Sequence, residues 1–118
     1  MIKGYAGRIL EVDLTRRSHA WKPLDEQIAR QYIGGKGYGT RMLYDRTEAG
    51  NDPLGPDNPL IFATGPLNGS VAPQSNRFAV VTKSPLTGGI GNAACGGNFA
   101  YGMKRAGIDL IFITGRAD

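Results

Sequence analysis

The sequence predicts an α+β fold, a β-sheet-rich domain with a few short helices. Three observations carry that expectation. Residues 7–15, GRILEVDLT, alternate apolar and polar from Leu10 through Val12 to Leu14, the period of a half-buried strand. Three further runs, LIFATGP, RFAVVTKS and IDLIFITG, are short, apolar and bounded by turn residues, as buried strands are. Between them, residues 24–33 and 97–107 space their apolar side chains three and four apart, which suits amphipathic helices.

Taken in order, the strand at 7–15 runs into Thr15-Arg16-Arg17-Ser18, a turn, and SHAWKP supplies the returning strand of a hairpin. Pro23 opens a helix over 24–33, with acids in its first turn and Arg30 in its last to complement the helix dipole. Gly34 and Gly35 are expected to stop it, where left-handed caps prefer glycine. Residues 34–46, GGKGYGTRMLYDR, read as a glycine turn followed by a helical stretch. AGNDPLGPDNP, 49–59, is a surface loop of turn residues, in which Asp52 and Asp57 flank and fold a turn. A strand covers 60–66, a polar loop 67–75 and a second strand 77–84. PLTGGIG, 85–91, is a turn, 97–107 one helix capped by Gly107, and 108–115 a third apolar strand. A sheet ending on that strand is expected to expose an unprotected edge. The expectation is therefore one domain over 1–118, truncated, the front portion of something longer.

Composition narrows the classes. With 118 residues, 41% hydrophobic and 20% charged, the chain suits a single globular unit with a modest core. Glycine is in excess at 18 residues without any repeating period, which excludes collagen and solenoids and points to tight turns or close backbone approach. The net charge of +4 and pI of 9.5 permit anionic partners without requiring them. The basic residues are scattered with no aromatic–basic stripe, so nucleic acid is not an expected partner, and no apolar run approaches the roughly 18 residues of a membrane span, so neither is a membrane. The lone Cys95 excludes an internal disulfide and a self-contained four-cysteine site. No signal peptide is visible, so the expected setting is cytoplasmic.

Few residues can carry chemistry. GGKGYG fails both the dinucleotide spacing and the P-loop ending. It reads either as a turn with backbone freedom or as a close approach to a ligand or partner. Arg77 heads a strand, and Cys95-Gly96-Gly97 sit where the next helix is expected to begin. Unpaired amides at a helix start, glycines that admit an anion and a permanently charged guanidinium together suit a phosphate-bearing cofactor. On the residues alone, Arg77 as an ordinary surface residue stands equally open. His19 reads as a surface residue, and Cys95 as a small buried residue or a lone thiol near a ligand. No serine–histidine–aspartate set or metal-ligand histidine cluster can be assembled.

The ordered motifs GYAGRILEVDLT, LDEQIARQYIGGKGYGTRMLYD, DPLGPDNPLIFATGPLNGSVAP, SNRFAVVTKSPLTGG and CGGNFAYGMKRAGIDLIFITGRA cover nearly the whole chain. In that order they resemble the N-terminal domain of the tungsten-containing aldehyde ferredoxin oxidoreductase family. The resemblance implies an enzyme several times longer, holding tungsten on two pterin cofactors beside a 4Fe–4S iron–sulfur cluster. Such an enzyme oxidises aldehydes to carboxylic acids and passes electrons to ferredoxin. It implies that this segment seats the bis-pterin, with Arg77 near pterin and cluster, and with Gly96 and Gly97 at the pterin. Ala94 stands where the family has an asparagine beside a magnesium ion bridging the pterin phosphates, so its backbone carbonyl could serve as ligand, or, where a side-chain oxygen is required, Asn92 or Asn98 would have to substitute. The cluster cysteines, the acid–base residues and most of the substrate pocket would lie outside the segment, leaving no catalytic residue within it. The other domains of the same enzyme, ferredoxin, the aldehyde and a possible homodimer partner are the implied partners. The alternatives are a stand-alone cofactor-binding or assembly module from a split or truncated gene, and an interaction domain that has lost the pterin, which the alanine at Ala94 favours.

Overall fold

The computed structural model describes residues 2–118. Its elements are β1 (Arg8–Asp13), β2 (Ser18–Pro23), α1 (Glu26–Tyr32), α2 (Gly35–Arg46), β3 (Leu60–Ala63), β4 (Phe78–Lys83), β5 (Ile90–Cys95), α3 (Phe99–Arg105) and β6 (Leu110–Thr114). The strands form one mixed six-stranded sheet in the order β2-β1-β6-β3-β4-β5. The pairs β1–β2, β3–β6, β3–β4 and β4–β5 are antiparallel, and β1–β6 is parallel. The α+β expectation holds.

α1 and α2 cover one face of the sheet. The core lies beneath them: Ile9, Ile61, Ala63, Ala79, Val81, Leu110 and Phe112 from the strands, with Ala29, Tyr38, Met42 and Leu43 from the helices. Asp25 caps α1, its side chain accepting from the N–H groups of Gln27 and Ile28 at 2.8 and 3.0 Å.

Several expectations are corrected. The last strand does not leave an open edge, because β6 inserts between β1 and β3 in the middle of the sheet. The exposed edges are β2 and β5. The latter went unread because IGNAAC is small and polar, with neither alternation nor β-branched bulk after its first residue. α1 stops at Tyr32 with the β-branched Ile33 in the left-handed conformation (φ 57°), one residue before the glycines expected to take that position. The glycines of GGKGYG are not a turn ahead of a helix: α2 starts at Gly35 and contains Gly37 and Gly39. A Cβ on Gly39 would lie 3.0 Å from Cγ2 of Val81, so the glycine lets α2 settle directly on β4. At Gly39 the close backbone approach is thus to the domain's own strands, whereas a Cβ on Gly37 would meet the Tyr32 carbonyl of α1 and one on Gly35 would meet nothing within 4 Å.

Candidate functional site

β4 and β5 pair with Phe78 opposite Cys95 and Ala79 opposite Ala94. Arg77 precedes Phe78 and Gly96 follows Cys95, so this antiparallel ladder brings Arg77 and the Gly96–Gly97 loop to one end of the sheet. The loop is fixed there by aromatic packing. Phe99, the first residue of α3, lies 4.9 Å from the Phe78 ring and 5.8 Å from Phe62, centroid to centroid. Offset and tilted aromatic pairs at these separations are favourable beyond their buried area.

Arg77, Ala94, Cys95, Gly96 and Gly97 are all exposed. Cys95 is therefore not the buried residue expected; it is exposed on the edge strand β5. The guanidinium of Arg77 has no carboxylate or hydrogen-bond partner among the described residues. Neither Gly96 nor Gly97 has a heavy atom within 4 Å of an ideal Cβ, and Gly97 has φ +86°, a conformation that favours glycine. An unpaired fixed cation beside open, side-chain-free backbone suits an anionic group, and to this extent the residues fit a phosphate-bearing cofactor. The helix start contributes less than expected. α3 begins at Phe99, beyond the glycines, is seven residues long, and has no side-chain cap at Asn98. The open backbone belongs to the loop rather than to the helix.

A residue the sequence reading passed over holds Arg77 in place. Asn68 is 6% exposed inside the loop 67–75. Its Nδ2 donates to the carbonyl of Arg77 at 3.0 Å and to that of Ser75, and its Oδ1 accepts from the N–H of Gly65. Asn76 adds a second tie, accepting from the N–H of Gly69 at 3.1 Å. A buried amide that satisfies three backbone groups has large leverage, because each would otherwise be left unpaired. The dipeptide Asn68-Gly69 signals only a turn in the sequence; its partners are defined by the fold.

The second buried polar centre is structural. Asp109, 0% exposed, accepts from the consecutive N–H groups of Ala6, Gly7 and Arg8 at 3.0, 2.7 and 3.2 Å, and from Lys104 Nζ at 2.5 Å. Lys104 also donates to the carbonyl of Gly4 at 2.9 Å. The motifs GYAGR and KRAGID thus form one knot between the start of the chain and β6. Nearby, burial, then the charge of Asp109, raises the pKa of Tyr5. Burial is also the main cause of the raised pKa of Tyr38, whose hydroxyl accepts from the N–H of Asp25 at 3.0 Å.

A cleft of about 810 Å³ lies at the opposite end of the strands, lined by Glu11, Asp13, His19, Arg46, Asp57 and Thr114 among others. It includes none of Arg77, Ala94, Gly96 and Gly97, and two of its acids are already paired, Glu11 with Arg46 and Asp13 with Arg16. His19 is exposed at its rim, as expected of a surface residue. Asp52 folds its turn, accepting from the N–H of Leu54 at 2.9 Å. Among the described residues no group of three or more His, Cys, Asp or Glu could hold a metal ion, and no helix is long and apolar enough to cross a membrane.

Comparison with known proteins agrees with the motif order. Residues 9–118 match the family described as "Aldehyde ferredoxin oxidoreductase, N-terminal domain". The tungsten-containing aldehyde ferredoxin oxidoreductase of Pyrococcus abyssi is 45% identical over 115 residues, which is 98% of this chain and 19% of that protein. The aliphatic sulfonate oxidoreductase, WOR-like subunit, of Pyrococcus furiosus is 36% identical, covering 96% of this chain and 18% of that protein. Among solved structures, the active site complex BamBC of benzoyl coenzyme A reductase, in complex with 1,5-dienoyl-CoA, superposes with a TM-score of 0.96. Its identity is 38%, over 99% of this chain and 18% of that one. The chain spans about a fifth of the length of the curated relatives it matches.

Proposed function

Because the chain belongs to the aldehyde ferredoxin oxidoreductase family, through its N-terminal domain, we propose that residues 1–118 are the pterin-seating part of a tungstopterin- and iron–sulfur-dependent oxidoreductase. On this reading the whole enzyme oxidises an aldehyde to a carboxylic acid and delivers the electrons to ferredoxin, and this segment carries no catalytic residue of its own. The observation that supports it is the pairing of Phe78 with Cys95, which brings to one end of the sheet open glycine backbone and an arginine without a partner among the described residues.

When bound, tungstopterin supplies a Lewis-acidic, two-electron redox centre, chemistry that belongs to the cofactor. The residues of this chain bind and orient. Arg77 offers a two-pronged donor to an anionic phosphate or ring oxygen. Gly96 and Gly97 admit the group to main-chain distance. Ala94, on the edge strand beside them, has only its backbone carbonyl to offer a magnesium ion. The 4Fe–4S cluster would take its ligands from elsewhere in the longer protein, since Cys95 is the one cysteine here.

Relatives sharing this domain carry names that speak of an aldehyde, an aliphatic sulfonate and benzoyl coenzyme A. The domain is thus common ground, and the choice of substrate belongs to the rest of the polypeptide. The reading is tested by placing this domain in a full-length family protein and comparing wild type with Arg77→Ala. Lower tungsten and pterin content per protein, with the fold retained by circular dichroism, is expected. Unchanged content would remove the role assigned to Arg77.

A further inference from the structure

On the sheet face turned away from α1 and α2, one apolar row runs from edge to edge. The strand registers pair Trp21 with Leu10, Leu10 with Ile111, Ile111 with Phe62, Phe62 with Val80 and Val80 with Ala93. These six residues make one row across all six strands, without a charge in it. α3 touches one end of this face, where Phe99 packs on Phe62 and Phe78. Away from that end the face is only partly covered: Trp21 is 47% exposed with the Arg8 guanidinium 4.7 Å over its ring, Leu60, in the neighbouring row, is 38% exposed, and Leu10, Phe62, Val80 and Ile111 are half-buried.

A sheet with one solvated face alternates apolar and polar residues along each strand, whereas strands covered on both faces read as unbroken apolar runs. β3 is LIFA, β4 begins FAVV and β6 begins LIFI. The pattern is that of a sheet buried on both sides, yet the domain covers one face with α1 and α2 and only an end of the other with α3. Continuous apolar surface of this kind marks an interface.

We propose that this face is a docking surface for the remainder of the family's longer polypeptide, which lays an apolar layer across the row from Trp21 to Ala93. The proposal rests on the family reading above. The occupant follows from length: the matched relatives carry this domain in 18–19% of their chain, so most of the polypeptide lies outside it. A second copy of the chain is the competing occupant.

The test compares the isolated 118-residue chain with a chimera in which it replaces the matching segment of the Pyrococcus abyssi relative. Hydroxyl-radical footprinting reads oxidation of Trp21 and Leu60, and light scattering reads the mass of the isolated chain. Oxidation of both residues in a monomeric isolated chain, lost in the chimera, is expected. Equal oxidation in the two contexts overturns the proposal. So does an isolated chain that dimerises and protects both residues, which would give the face to a second copy. The isolated chain supplies an arm independent of the chimera: the double variant Val80→Thr, Ile111→Thr should abolish binding of an apolar fluorescent dye, and an undiminished dye signal overturns the proposal. The chimera carrying Arg77→Ala keeps the footprint even where cofactor is lost, so failure of the cofactor-seating reading is distinguishable from failure of this one.

Discussion

Lys104 and Asp109 form an ion pair whose side chains are 8% and 0% exposed, and the carboxylate also gathers three consecutive backbone N–H groups from Ala6 to Arg8. A buried pair of opposite charges is often replaceable by apolar residues of similar volume at little cost. This one differs, because removing the carboxylate orphans main-chain donors as well.

Asp109→Ala should therefore destabilise the domain by about 3–5 kcal/mol, the range for breaking a buried pair. The double variant Asp109→Leu, Lys104→Met should not recover that loss, since Ala6, Gly7 and Arg8 still lack an acceptor. Urea unfolding midpoints measure both. Full recovery in the double variant would show that the pair stands alone and the amide contacts contribute nothing.

Asn68→Ala leaves the carbonyls of Ser75 and Arg77 and the N–H of Gly65 without their partner. A loss of about 1–3 kcal/mol follows for each buried group that stays unsatisfied. Asn68→Asp should be no better than alanine, because a carboxylate cannot donate to two carbonyls. Hydrogen exchange should show the release confined first to residues 64–78. A uniform loss of protection over the sheet would contradict the local role.

Gly39→Val should cost about 1–3 kcal/mol through overpacking, because even the first carbon would sit 3.0 Å from Val81 Cγ2 and 3.5 Å from Ala63 Cβ. Gly50→Ala is the comparison: nothing lies within 4 Å of its Cβ, and its thermal midpoint should be unchanged. Equal effects at the two sites would sink the close-packing explanation of the glycine-rich helix.

Tyr5 and Tyr38 both have pKa values raised above the ordinary 10.0, chiefly by burial. The folded state holds these protons more tightly than the unfolded chain does. Their contribution is fully present below the unfolded pKa and is lost as pH rises through the folded values, so stability should fall on the alkaline side of about pH 10. Tyr38→Phe should flatten that fall while lowering stability at neutral pH, because the N–H of Asp25 loses its acceptor. A midpoint-versus-pH curve with the same alkaline slope in variant and wild type would count against the assignment.

Much of the fold was legible in the chain itself. The alternation in RILEVD, the apolar runs LIFA, FAVV and LIFI, and the apolar spacing over 24–33 are local patterns, and each became an element of the expected type. Arg77 at a strand head and the glycines after Cys95 were legible as residue types suited to an anion. Their closeness became visible only when β5, an edge strand of small residues with no period to betray it, paired with β4.

Tertiary structure decided what depends on residues far apart in the chain. β6 took the centre of the sheet between β1 and β3, and Asp109 closed on amides more than a hundred residues earlier. Asn68 became the support of Arg77, and Gly39 of α2 met its own sheet. The physical reason is one of range. Local sequence sets backbone periodicity and turn chemistry over a few residues. Which strand lies beside which, and which buried polar group finds which partner, is settled only when the chain closes on itself and every buried donor and acceptor must be matched.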